Sequence, residues 1–121
     1  MKKTVTIKKN HEFARIYKKG KFFAGRYLVI YVLKNRLGVN RLGITVNKKA
    51  GKSVRRNRIK RLIRESYRLY EEFIPESYDI IFFARNTEAE YTYKEITKEM
   101  KFLLKKVQVF DQEKWDGLKK S

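Results

Sequence analysis

The chain has 121 residues, no cysteine and a formal net charge of +18 at pH 7. Its length predicts a single domain, 1–121, with one modest core. The absence of cysteine excludes disulfides and thiolate metal sites, and the lack of a long apolar run or a signal-peptide h-region predicts a soluble, cytoplasmic protein.

Asn10 is the expected N-cap of a short predicted helix that runs through Lys19 and stops at Gly20, with Phe13, Ile16 and Tyr17 on one side. Tyr27 to Leu33 reads as a strand, with Tyr27, Val29, Tyr31 and Leu33 on one face and Leu28, Ile30 and Val32 on the other. A turn around Gly38 and Asn40 leads to a second strand, Arg41 to Asn47, with Leu42, Ile44 and Val46 inward. The two strands are expected to pair antiparallel. Lys48 to Lys52 forms a basic loop around Gly51, and Ser53 is the expected N-cap of a long helix that ends before Pro75. Asp79 to Ala84 is apolar on both faces, as in a buried central strand. Thr92 to Glu95 fits a capping box, followed by an apolar stripe of Ile96, Met100, Leu103, Leu104 and Val107. The tail from Asp111 has no clear pattern. The predicted class is α+β, a two-layer sandwich in the order α-β-β-α-β-α, and the strands flanking the long helix can run parallel.

Charge is the most informative property of the chain. Residues 1–70 carry 22 Lys/Arg against two acids, Glu12 and Glu65, whereas residues 71–121 carry nine against eleven. Residues 47–64 alone hold nine Lys/Arg and no acid. With each helical residue advancing roughly 100°, Arg56, Asn57, Lys60, Arg61, Arg64 and Arg68 share one arc. Ile59, Leu62, Ile63, Leu69, Tyr70 and Phe73 share the other. One face can enter a core while the opposite face meets a polyanion, most commonly nucleic acid. Arg55 and Arg56 in the first turn oppose the helix dipole, a cost that an anionic ligand would offset.

Catalytic constellations are missing. The single histidine, His11, reads as a surface or capping residue, and Glu12 and Glu65 have no acidic neighbours in sequence. Phosphate-loop, dinucleotide and zinc patterns are absent. The residues therefore predict a nucleic-acid binder without a catalytic centre or metal site of its own. Phe13, Tyr17 and Tyr31 could stack bases beside the basic groups. Phe13 suits core and platform alike, and Phe82 and Phe83 read as core. A stand-alone RNA-binding or ribosomal protein would show the same charge without needing the aromatics. A helix-turn-helix DNA reader needs a helix directly before its recognition helix, and here a strand stands there.

The string from Arg41 to Glu65, and above all Arg56-Asn57-Arg58 with Lys60, Arg61 and Arg64, resembles the RNR signature of the bacterial ribonuclease P protein subunit. Phe13 and Ile16 to Gly20, Ala24 to Arg26, Val29 to Tyr31, and Asp79 to Ile81 with Ala84-Arg85 extend the resemblance over roughly residues 8 to 108. It implies a left-handed β-α-β crossover, as in the second domain of ribosomal protein S5; the general rule favours the right-handed form. It implies a part in a ribonucleoprotein endoribonuclease that removes the 5′ leader from precursor tRNA. In that enzyme the RNA subunit carries catalysis and holds most of the Mg2+, and the protein alone is inactive. Residue by residue, Arg56, Asn57, Arg58, Lys60, Arg61, Arg64 and Arg68 would meet the ribonuclease P RNA. Phe13, Tyr17, Tyr31, Lys48, Lys49 and Lys52 would line the leader cleft. The departures are Gly25 for a usual Asn, Tyr17 for a common Phe and Asn47 for a small residue. No membrane partner is implied, and anions such as sulfate are expected on the basic face.

Overall fold

The computed structural model describes residues 4–85 and 88–120. Five strands form one sheet: β1 (Thr4–Thr6), β2 (Lys21–Ala24), β3 (Leu28–Lys34), β4 (Asn40–Val46) and β5 (Tyr78–Ala84). The helices are α1 (Asn10–Lys19), α2 (Ser53–Tyr70), α3 (Tyr93–Lys106) and α4 (Gln112–Lys120). The strand order is β1-β4-β5-β3-β2.

β5 takes the centre of the sheet, as its two apolar faces require. It pairs antiparallel with β3 and parallel with β4. The expected direct pairing of β3 with β4 is thus replaced: the strand that both faces bury lies between them. The β3–β4 loop crosses the start of β5 instead of forming a hairpin. Asn35 N–H donates to Ser77 O at 2.8 Å, and Gly38 N–H to Ser77 Oγ at 3.0 Å. The parallel pair is joined through α2, as the order of elements suggests. The short strands β1 and β2 occupy the two edges; neither has enough alternating apolar residues to be read from pattern alone.

Period-2 alternation divides the sheet between two cores. Leu28, Ile30, Val32, Leu42, Ile80 and Phe82 meet the stripe Ile59, Ile63, Tyr67 and Tyr70 of α2 and Ile96, Met100, Leu103 and Leu104 of α3. Fully burying each such side chain contributes roughly 1.5–3 kcal/mol. The reverse face carries a smaller core of Ile7, Ile16 and Ile81, with Phe13, Tyr17, Tyr31 and Leu33 packed around it. The helices therefore do not share one side: α1 lies across the face opposite α2 and α3.

Local signals hold unevenly. Thr92 Oγ1 accepts from Glu95 N–H at 3.3 Å, as the capping pattern predicts. Asn10 and Ser53 are first helical residues rather than caps, and Lys9 and Lys52 hold those positions without a side-chain cap bond. On α2, Leu69 is exposed, while Ser66 and Tyr67 are buried. The Ser66 hydroxyl is satisfied by Leu62 O at 2.8 Å, so a small polar residue fits against the core. The patternless tail forms α4. Its Trp115 packs edge-on against Phe73 with ring centres 5.0 Å apart, beside Tyr70 and Phe110.

Candidate nucleic-acid interface

Strand register builds an open groove on the α1 face. Phe22, Tyr31, Ile81 and Gly43 are successive cross-strand partners in one row, and Ala24, Val29, Phe83 and Thr45 form the next. α1 covers the β4 end of these rows. Phe13 sits directly on Gly43, where an added Cβ would lie 2.7 Å from the ring, so this glycine is required for the close approach. Tyr17 donates to Thr45 Oγ1 at 3.0 Å. Burial raises the Tyr17 pKa, partly opposed by that hydrogen bond, so the phenol stays protonated and neutral near pH 7.

Beyond α1 the floor is open. Tyr17, Phe22, Ala24, Val29, Tyr31, Thr45, Phe83 and Arg85 line a groove of about 600 Å3. Tyr17 meets Tyr31 edge-on at 4.7 Å between ring centres, and Phe22 stacks on Tyr31 at 5.7 Å with planes 29° apart. Phe13 lies 6.3 Å from Tyr17 and is half-buried in the smaller core. Phe82 is core, as expected; Phe83 is only half-buried and belongs to the groove floor. Its odd position in β5 turns it to the α1 face, which a run of apolar residues does not reveal.

The basic groups reach this groove through the turn after β4. Asn47 Oδ1 accepts from Lys49 N–H at 2.9 Å, which shapes the 3-10 turn Lys48–Ala50. Gly51 then adopts φ 123°, in the region that favours glycine. The Arg55 guanidinium donates to Ala50 O, and to Ala89 O at 2.8 Å, so this first-turn cation braces the loop. Lys48, Lys49 and Lys52 are exposed on the braced turn. It lies at the sheet end where β4 and β5 finish, followed directly by Arg85 after β5.

From the same turn α2 crosses to the other face of the sheet. Asn57, Arg58, Arg61, Arg64 and Arg68 are exposed, and Arg56 and Lys60 are half-buried. Arg61 and Glu65 are 3.6 Å apart, but their side chains are 78% and 47% exposed. Such a pair contributes about 0.3–0.5 kcal/mol and leaves Arg61 available. Six of the seven cations and amides expected to face RNA, Arg56, Asn57, Lys60, Arg61, Arg64 and Arg68, therefore share one ridge, and Arg58 stands at its side. The groove and the ridge lie on opposite faces, linked by the Lys48–Lys52 turn.

Among the described residues, no three of His, Cys, Asp and Glu come together to hold a metal ion. Glu12 is paired with Arg41, whose hydrogen bond lowers its pKa.

An α+β sandwich with a cationic helix behind its sheet and an aromatic groove in front defines an RNA-binding protein. The ribonuclease P family model matches residues 1–108. The ribonuclease P protein component of Clostridium botulinum strain Langeland is 49% identical over 106 residues, covering 87% of this chain and 96% of its own. That of Alkaliphilus oremlandii is 49% identical over 111 residues, covering 92% and 97%. Among solved structures, the Staphylococcus aureus RNase P protein superposes with a TM-score of 0.79 at 42% identity, covering 87% of this chain and 96% of that one. The Thermotoga maritima protein gives 0.76 at 32% identity, covering 84% and 96%. The chain belongs to the bacterial ribonuclease P protein family. Membership carries ribonuclease P function and partnership with the ribonuclease P RNA and a tRNA substrate.

Phe22, Thr45, Phe83 and Arg85 escape the sequence reading of the site. Only register could have found Phe22, by placing it opposite Tyr31 across an edge pair.

Proposed function

We propose that this chain binds the single-stranded 5′ leader of precursor tRNA in the α1–sheet groove while its α2 ridge docks on the ribonuclease P RNA. The observation that carries the reading is the joining of two surfaces. The Tyr17–Tyr31 platform and the ridge Arg56, Asn57, Lys60, Arg61, Arg64 and Arg68 share the braced turn that presents Lys48, Lys49 and Lys52. A strand leaving the RNA face can pass these lysines and enter the groove with its phosphates neutralised. Aromatic stacking then contributes roughly 1–3 kcal/mol per base. Phe13 supports the platform from Gly43 rather than offering a free ring. Arg58, beside the ridge, contacts phosphate locally.

On this reading the RNA carries out phosphodiester hydrolysis and holds the Mg2+. The protein raises affinity for substrate and metal by screening phosphate repulsion and by holding the leader. The chain acts as one domain, in the cytoplasm, and sulfate can occupy its phosphate positions.

The test is multiple-turnover cleavage of a precursor tRNA by bacterial ribonuclease P RNA at low magnesium, with and without the chain. Strong stimulation is expected, with the protein alone inert. Tight RNA binding without stimulation would move the chain to the stand-alone RNA-binding class.

A further inference from the structure

We propose that Phe22 is a further base-stacking residue, forming with Tyr31 a seat for one more leader nucleobase at the β2 edge of the groove. The inference rests on the leader-binding reading and extends it to a residue outside the Tyr17–Tyr31 platform. Phe22 is 63% exposed, more than any other aromatic residue described. It stands on the edge strand β2 as the direct cross-strand partner of Tyr31, and the two rings are nearly parallel. One ring face is thus held by Tyr31 and the other is bare. A core or covering role would bury that second face; a stacking platform leaves it open for a base.

Position selects the ligand. Tyr31 lies between Tyr17 and Phe22, so a chain seated against Tyr17 reaches Phe22 only by running on across the sheet toward β2. Arg85 lines the same groove, with its backbone and one guanidinium nitrogen anchored to Tyr27 O and Gly25 O. Lys21, next to Phe22 in the strand, turns to the opposite face, where its ammonium donates to Gln108 Oε1 at 3.2 Å, so Arg85 is the cation on the side of the ring. A polyanion that carries flat rings matches these neighbours better than an apolar protein segment would. Phe23 points to the opposite face, where it meets Phe102 edge-on at 5.9 Å, so the two adjacent phenylalanines serve different surfaces.

The experiment measures binding of the reconstituted holoenzyme to precursor tRNAs whose leaders grow one nucleotide at a time, with mature tRNA as reference. Wild type is compared with Phe22→Ala, Phe22→Thr, Tyr31→Ala and Tyr17→Ala. Phe22→Thr keeps strand propensity while removing the ring, so loss of the edge strand is separated from loss of stacking. Both Phe22 variants are expected to match wild type on short leaders. They should fall about tenfold behind once the leader reaches the added seat, at a greater length than the onset for Tyr31→Ala. An abasic nucleotide at that position should produce the same loss in wild type and none beyond it in Phe22→Ala.

Three results would overturn the seat. In the first, the Phe22 variants bind like wild type at every length while Tyr17→Ala fails; the leader groove then stands and Phe22 is packing. In the second, the Phe22 and Tyr31 losses begin at the same length, which makes Phe22 a prop for Tyr31. In the third, sedimentation of the free protein shows that Phe22→Ala alters self-association, which makes the ring a protein contact. If Tyr17→Ala also leaves leader binding unchanged, the groove reading itself fails.

Discussion

A single guanidinium organises the sheet end remote from the lysine turn. Arg41 holds Asp79 through two bonds of 2.8 and 2.7 Å and also reaches Glu12, while Asn35 donates to Asp79 at 2.8 Å. Asp79 is 1% exposed. Burial pushes its pKa up, but the Arg41 and Asn35 hydrogen bonds outweigh this and the net shift is downward. A depressed carboxylate contributes stability above its unfolded pKa of about 3.9 and loses it as pH falls through the folded value. Urea unfolding between neutral pH and strong acid should show that acid limb. Arg41→Ala should cost about 3–5 kcal/mol at neutral pH by stranding a buried charge. The mutant's stability should then fall less, or rise, on acidification. An acid limb as steep as that of wild type would place its origin elsewhere. The second residue-scale prediction concerns Tyr17: Tyr17→Ala should weaken precursor binding about five- to a hundred-fold, by loss of one stacked base, and leave mature tRNA unchanged. Equal loss for both ligands in a binding titration would remove the leader from the groove.

At the scale of elements, α2 and α4 show opposite balances. The basic helix keeps a full apolar stripe, yet its exposed cations repel one another and its first turn has no acid or side-chain cap. Stability alone would not select that arrangement. Arg61→Ala should reduce the slope of log affinity for ribonuclease P RNA against log salt by about 0.7–0.9, or less if the phosphate is shared. An unchanged slope in a salt titration would mean that Arg61 touches no phosphate. α4 lies beyond the part matched by the family model, which ends at residue 108. It nevertheless continues the core. Trp115 joins Tyr70, Phe73 and Phe110, and the Lys101 ammonium lies 4.2 Å from its ring centre. Lys114 Nζ donates to Glu72 O at 2.8 Å, and Asp111 N–H to Phe73 O at 2.7 Å. Half-buried Trp115 replaced by Ala should cost about 2 kcal/mol, below the roughly 3–5 kcal/mol of fully buried large aromatic deletions, measured by urea unfolding. No loss would mark α4 as an appendage. Glu99 performs a similar bracing function at the β2–β3 bend. Its carboxylate accepts three backbone N–H bonds, from Arg26, Tyr27 and Leu28 at 2.6–2.8 Å. A Cβ at Gly25 would lie 2.6 Å from that carboxyl carbon. The missing side chain at Gly25 leaves the space that Glu99 occupies.

At the scale of the whole molecule, a net +18 on 121 residues means that folding gathers like charge. Anions that bind the folded state stabilise it by mass action. Sulfate should therefore raise the thermal midpoint of the free protein more than chloride at matched ionic strength, read by circular dichroism. Equal effects would reduce the gain to screening alone.

How much of this was legible in the chain depends on the range of the forces involved. Helix and strand identity, the apolar faces of α2 and β3, the central character of β5 and the Thr92 cap follow from period and local chemistry, which neighbours in sequence decide. The RNR signature and the segregated charge pointed to RNA for the same reason: they are local runs. The groove is different. That Phe13 needs Gly43, that Tyr17 bonds Thr45, and that Phe22 stacks on Tyr31 all depend on β5 entering between β3 and β4 and on edge pairing of β2. Those pairings are set by burial summed over distant residues, and a one-residue change of register would turn Tyr31 and Phe83 away from α1. Composition and period by themselves determined the main elements, though not β1, β2 or α4, and what kind of partner they attract. Only tertiary packing decided which side chains share a surface, because cross-strand neighbours are chosen by the core and not by the chain.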